Sequence, residues 1–206
     1  MMKKKLVLIG NGMAGVNCIE QLLKLAPNRY DITIFGREPH PNYNRILLSS
    51  VLQGDSGLKD IILNDWDWYM SNGITLHTGH QVTKIDTAKK MVYTDRGISA
   101  PYDELVLATG SLPFMLPLPG VHKDGVIAFR DIKDCETMIE TAKHYKKAVV
   151  IGGGLLGLEA ARGLLNLNMD VTVVHIHNTI MERQLDSTAS LMLRRELENQ
   201  GMKFML

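Results

Sequence analysis

The stretch Leu6-Val-Leu-Ile-Gly10-Asn-Gly12-Met-Ala-Gly15 has a counterpart about 140 residues further on, Ala148-Val-Val-Ile-Gly152-Gly-Gly154-Leu-Leu-Gly157. Each is an apolar β-run feeding G-x-G-x-x-G, followed by a helical pattern and a second apolar run. In such a unit the first glycine makes a tight turn and the second lets the backbone approach a pyrophosphate. The third lets helix and strand pack closely, and the phosphate rests on the helix N-terminus. Two copies, each in a strand–loop–helix setting, predict a chain that holds two dinucleotides.

The rest of the composition narrows the class. The chain has 206 residues, 45% of them apolar and 22% charged, and a formal net charge of +1. That is a globular profile, unlike a disordered or collagen-like one. Near-zero charge offers no electrostatic reason to expect nucleic acid or an anionic membrane as partner. No apolar stretch approaches the ~20 residues of a membrane span. The Lys3-Lys4-Lys5 run reads as a solvated chain end, and a strand starting so early predicts no cleavable signal peptide; cytoplasm is the expected location. Cys18 and Cys135 stand far apart and outside any C-x-x-C pair, which argues against a disulfide framework or a redox dithiol.

Along the chain, Lys5 to Ile9 reads as a strand, Ala14 to Leu25 as a helix stopped near Pro27, and Asp31 to Phe35 as a second strand. Gly36 to Asn44 reads as a loop, Ile46 to Leu52 as a short helix or turn, and Asn64 to Asn72 as a helix. Short strands follow at Ile74 to Thr78, Gln81 to Asp86 and Lys90 to Asp95, the last two as a hairpin. Tyr102 to Ala108 reads as a buried strand closed by Thr109-Gly110, and a link with Pro113, Pro117 and Pro119 marks a domain boundary. Beyond it come a helix over Asp131 to His144, with Asp131 or Asp134 as cap, a strand to Ile151, a helix over Leu155 to Leu165 and a strand over Asp170 to His175. A helix over Ala189 to Asn199 and a strand starting at Met202 end the chain. The expected fold is α/β: two Rossmann-like domains, residues 1–113 and 114–206, the second inserted in the first and incomplete at its C-terminal side. A half that stops at its third strand predicts the N-terminal part of a longer protein.

For the first cradle the candidates are Gly10, Gly12, Met13, Ala14 and Gly15, with Glu38 beyond the second strand as acceptor for the ribose. For the second they are Gly152, Gly154, Leu155, Leu156, Gly157 and Glu159. At the strand end of that unit stand His175 and His177, and no carboxylate follows until Glu182. A carboxylate there would suit NAD and an arginine NADP; a histidine decides neither. Glu159 near a helix N-terminus also has a plain stabilising role, worth ~0.3–1 kcal/mol. His77 and His80 flank Gly79 without an accompanying acidic or thiol cluster, so no metal site is expected. Trp66 and Trp68 suit either base stacking or anchoring of a helix to a core, the commoner role. There is no G-x-S-x-G and no nucleophile with an arranged base, so hydrolysis is unsupported.

The order of GxGxxG, then Ala108-Thr109-Gly110 closing a strand, then a second GxGxxG resembles the flavoprotein reductases with two dinucleotide-binding domains. The segment from Glu38 to Ser49 is similar to the flavin-contacting loop of the ferredoxin-reductase branch, E-x-x-x-P-Y-x-R-P-x-L-S-K, with Tyr43, Arg45, Leu48 and Ser49 matching and Ser50 replacing the terminal lysine. Asn11 to Gly15, Pro41 to Ser50, Phe129 to Asp134, Gly152 to Leu165 and Met181 to Asp186 resemble the family of large subunits of NAD(P)H-dependent assimilatory nitrite reductases, over essentially the whole chain. The resemblance implies FAD in the first domain, held also by Arg45, Ala108, Thr109 and Gly110, and NADH or NADPH in the second. It further implies hydride transfer to the flavin and onward single electrons to a siroheme and 4Fe-4S centre, whose cysteines lie in a part of such proteins that this sequence lacks. On that reading no side chain acts as acid or base, so no catalytic residue is named. A small subunit or a second copy stands as a further partner. Two alternatives remain: a reductase of a ferredoxin- or rubredoxin-like carrier, and a truncated, non-catalytic nucleotide-binding fragment, because in the family the chain returns to wall the flavin site. The 206 residues alone are expected to reduce no nitrite.

Overall fold

The computed structural model describes residues 3–206. In chain order the elements are β1 (Lys4–Ile9), α1 (Met13–Leu25), β2 (Tyr30–Gly36), β3 (Asn42–Tyr43), a 3₁₀ turn at Arg45–Leu47, α2 (Leu48–Gln53), β4 (Ile62–Asn64), α3 (Trp66–Ser71) and β5 (Thr75–Thr78). They continue with β6 (Val82–Asp86), β7 (Met91–Thr94), β8 (Ser99–Pro101), β9 (Glu104–Leu107), α4 (Ile132–His144), β10 (Lys147–Ile151), α5 (Leu155–Asn166), β11 (Asp170–Val174), α6 (Ser187–Asn199) and β12 (Lys203–Met205). The chain divides into two compact units. One joins the described residues through Asn44 with Ile62–Ser111; the other joins Arg45–Ile61 with Leu112–Leu206. The division after Ser111 falls beside the proline-rich link, and Arg45–Ile61 groups with the second unit.

The first unit is a parallel sheet in the order β5-β2-β1-β9. Period-two alternation in β1 sends Leu6 and Leu8 to one face and Val7 and Ile9 to the other. The first pair meets Ile19 of α1, Ile32 and Ile34 of β2 and Tyr69 of α3. The second pair meets Phe35, Val92 of β7 and Ala100 of β8. Both faces of the sheet are therefore covered, by helices on one side and by the antiparallel β6-β7-β8 sheet on the other. Val16 and Ile19 are fully buried, each contributing about 1.5–3 kcal/mol. The expected hairpin is present as β6 against β7, extended by β8, a three-residue strand too short to announce itself by pattern. The segment expected as a helix from Asn64 splits, with β4 pairing to β3 and Asp65 then capping α3. Tyr102–Ala108, expected as a buried strand, forms β9 over Glu104–Leu107 only. It lies at the sheet edge, where Leu107 is 62% exposed.

The second unit carries the parallel sheet β10-β11-β12, with Val171 and Val173 of the central strand fully buried. Leu158, Ala161 and Leu164 of α5 are buried, as are Ile132, Cys135 and Met138 of α4. Asp131 and Asp134 close α4 with a reciprocal capping box, Asp131 Oδ1 accepting from Asp134 N–H at 3.0 Å. Helix α2 packs on α5 at Gly163, where a Cβ would stand 2.4 Å from Leu52. Among the described residues no helix is long and apolar enough to cross a membrane.

Candidate dinucleotide-binding sites

In the first unit, β1 delivers the chain to Gly10, whose φ of +113° is one that side-chain-bearing residues avoid. Its N–H donates to Phe35 O at 2.8 Å, and a Cβ there would stand 2.0 Å from Ala108 O. The turn is thus pressed between β2 and the end of β9, and Ala108 N–H in turn donates to Ile9 O at 2.8 Å. Gly15 closes the loop from behind, since a Cβ would meet Gly10 O at 2.7 Å. Gly12 faces open space, with nothing within 4 Å of where its Cβ would be.

The helix caps differ in kind. Helices α3, α4 and α6 each begin on an aspartate, Asp65, Asp131 or Asp186, whose carboxylate accepts from a first-turn N–H. Helices α1 and α5 begin on Gly12 and Gly154, in the same extended backbone conformation but with no side-chain cap. No side chain caps their first turns and the space beside Gly12 and Gly154 is open, which suits a phosphate. The residues present therefore fit a pyrophosphate at both places.

The second cradle has the same turn and helix start, but no neighbouring strand presses on its first glycine, where nothing lies within 4 Å of an added Cβ. Gly152 has φ +122° and donates to Val174 O at 2.8 Å, and a Cβ on Gly157 would stand 2.0 Å from Gly152 O. Gly154 faces open space. Leu155 and Leu156, the first two residues of α5, are 57% and 54% exposed. Glu159 is half-buried, and burial raises its carboxyl above the usual range. An apolar cleft of about 780 Å³ opens on the same unit, lined by β10, residues 113–116, 118–121 and 125–129, Leu156 and Gly157. Gly152 and Gly154 are not part of its wall, so it adjoins the cradle, sharing Leu156 and Gly157 with it.

The structure gathers Gly10, Gly12, Met13, Ala14, Gly15 and Ala108 in one loop–helix junction of the first unit. Thr109 and Gly110 follow, exposed, past the end of β9. Glu38 lies between two points where the chain touches Asn11: Gly36, whose missing Cβ leaves room for the Asn11 side chain, and His40, whose carbonyl accepts from Asn11 Nδ2 at 3.3 Å. The Glu38 carboxylate also accepts from the Tyr43 hydroxyl at 2.6 Å. Arg45 is grouped with the second unit, where its Nη1 donates to Arg130 O at 2.6 Å.

Residues that sequence reasoning passed over support the first loop from behind. Tyr69, 2% exposed, donates to Asn11 Oδ1 and accepts from Asn42 N–H. Asn42 Nδ2 donates to Asn64 Oδ1, and Asn64 Nδ2 to Glu20 Oε1, each at 2.7 Å. Burial pushes the Tyr69 hydroxyl up to about 12. The aromatic cluster around Trp66 was the available signal, and its anchor is Tyr69, with Trp68 edge-on at 4.9 Å and Trp66 half exposed. His77 stacks on Phe35 at 5.0 Å, and burial, then His80, lowers its imidazole. No group of three or more His, Cys, Asp or Glu is arranged to hold a metal among the described residues. Cys18 and Cys135 are both free thiols.

Two parallel sheets, each with a glycine-loop helix that carries no side-chain cap, define a dinucleotide-binding protein. Residues 4–206 match the pyridine nucleotide-disulphide oxidoreductase family, and the chain belongs to it. It is 65% identical over 204 residues to the NAD(P)H nitrite reductase of Bacillus subtilis (strain 168), covering 99% of this chain and 25% of that protein. It is 57% identical over 206 residues to the assimilatory nitrate reductase electron transfer subunit of the same organism, covering 100% of this chain and 27% of that one. The NADH:rubredoxin oxidoreductase structure from Clostridium acetobutylicum superposes with a TM-score of 0.87 at 28% identity, over 98% of this chain and 52% of that one. The chain thus spans about a quarter of the length of the two Bacillus relatives.

Proposed function

We propose that this chain is the electron-entry module of an NAD(P)H-dependent flavoprotein oxidoreductase, with FAD on the first unit and NADH or NADPH on the second. The observation that carries this reading is the pair of helices α1 and α5 that start on glycine with no side-chain cap, in a chain whose other long helices start on aspartate. When bound, a flavin accepts two electrons as hydride from a nicotinamide and passes them on singly, the conversion a one-electron metal centre requires. The chain's own residues bind and orient. The first-turn amides after Gly12 take the FAD pyrophosphate and Glu38 its ribose, while Thr109 and Gly110 lie along the remainder. The first-turn amides after Gly154 take the nicotinamide dinucleotide, and Leu155, Leu156 and Glu159 shape the approach to it. The name of the 65%-identical Bacillus relative favours a nitrite-reducing parent, in which electrons leave this module for a siroheme and iron–sulfur centre held elsewhere. That of the 57%-identical one, an electron transfer subunit of a nitrate reductase, fits a module that passes electrons on.

The test is the visible spectrum of the purified chain supplied with FAD, before and after anaerobic NADH. Oxidised-flavin bands that stay with the protein on gel filtration and bleach with NADH support the module. A protein that retains no flavin, or retains it and does not bleach with either nicotinamide, overturns it for this chain.

A further inference from the structure

The second cradle has no carboxylate where its second strand ends, since β11 stops at Val174 and His175 follows. The fold brings one back from seven residues further on. Met181 N–H donates to Gly153 O at 2.9 Å, which returns the chain after β11 to the glycine loop. The His175 ring lies against the same glycine, where a Cβ would stand 2.9 Å from a ring carbon. His175 Nε2 then meets Glu182 Oε2 at 3.1 Å, with the histidine side chain 10% exposed and the glutamate 30%.

We propose that Glu182, held by His175 beside the second glycine loop, accepts the adenosine ribose 2′-hydroxyl of the nicotinamide dinucleotide and thereby selects NADH against NADPH. The proposal rests on the reading that the second unit holds a nicotinamide dinucleotide. An ionised carboxylate is a good acceptor for that hydroxyl and repels the phosphate that replaces it in NADPH. The Glu182 carboxyl is held below the usual range, first by its own backbone N–H and then by the hydrogen bond with His175. The imidazoles of His175 and His177 stand edge to face, centroids 5.4 Å apart. His175 is spent on Glu182 and on Gly153, so the strand-end histidine acts as a brace for the carboxylate rather than as a phosphate ligand. The acceptor that a strand-end aspartate or glutamate supplies in other dinucleotide folds is thus relocated along the chain.

The experiment is a pair of calorimetric titrations of the purified chain, with NADH and with NADPH, repeated on Glu182→Gln and His175→Ala. The expected result is NADH tighter by about tenfold or more, as for a hydrogen bond to a charged group. In Glu182→Gln that preference falls to within about threefold, chiefly through weaker NADH binding, and His175→Ala moves in the same direction. The unfolding midpoint of Glu182→Gln should match the parent, because the residue is on the surface. Preference unchanged in Glu182→Gln, or tighter NADPH in the parent, overturns the role of Glu182 while leaving the dinucleotide site intact. Binding of neither nucleotide overturns both.

Discussion

The hydroxyl of Tyr69 donates to Asn11 Oδ1 at 2.8 Å, and Asn11 is the residue between the first two glycines of the first cradle. Through this bond a buried aromatic of α3 holds a loop 58 residues earlier in the chain. Tyr69→Phe leaves Asn11 without that donor and the buried Asn42 N–H without that acceptor. We expect a loss of about 1–3 kcal/mol, read from urea unfolding midpoints, and weaker FAD retention from a loosened loop.

Gly10 and Gly12 separate folding from binding. Gly10→Ala forces a methyl into φ +113° and to within 2.0 Å of a backbone oxygen. It should cost more than about 2 kcal/mol or prevent folding. Gly12→Ala puts its methyl into open space at an ordinary φ of −92°. Its stability should stay within about 0.5 kcal/mol of the parent, while FAD binding falls because the methyl occupies the phosphate's place. Equal losses in both variants on thermal unfolding would count against the cradle.

Gly154→Asp tests whether phosphate is the cap that α5 lacks. The position has φ −86° and ψ 178°, close to the Asp186 cap of α6 at −72° and 174°, and the space is open. An aspartate there should cap the helix itself and add about 0.3–1 kcal/mol. Nicotinamide dinucleotide binding should fall by tenfold or more at about 1.4 kcal/mol per decade. A stabilised protein that binds NADH as the parent does would show the anion goes elsewhere.

Alkaline pH should unfold the chain early. Burial pushes the Cys135 thiol from 9.0 up to about 12, and that of Tyr69 pushes its hydroxyl from 10.0 up to about 12. The unfolded chain gives up both protons before the folded one does, so the folded state binds more protons in this window. The stability is intact below pH 9.0 and is lost as pH rises toward about 12, which denaturant midpoints taken across that range will show. At neutral pH a thiol reagent should label Cys18 quickly and Cys135 only on unfolding, since the first is exposed and the second is not.

Much of this is local and was therefore readable. The two βαβ units are set by short apolar runs, three glycines at fixed spacing and a helical period, all within about thirty residues. The α4 capping box follows from Asp131 and Asp134 standing three apart. Two-residue β3 was not legible, because a strand that short carries no alternation to read, and three-residue β8 went unread between the expected hairpin and β9.

What the local pattern left open depends on which distant segments meet. Pairing of β9 beside β1 is what brings Ala108 onto Gly10 and makes that glycine obligatory. Packing of α2 on α5, with Leu52 against Gly163, and the bond of Arg45 to Arg130 O tie Arg45–Ile61 to the second unit, and no residue type in the segment announces it. Asn11 reads as a variable position until Tyr69 is found behind it. The return of Met181 to Gly153 sets Glu182 against His175, so a missing carboxylate in the sequence becomes a present one in space. Spacing and period act over a few residues and write themselves into the order of amino acids; long-range packing is decided by the summed burial of many weak contacts, which no single stretch of the chain contains.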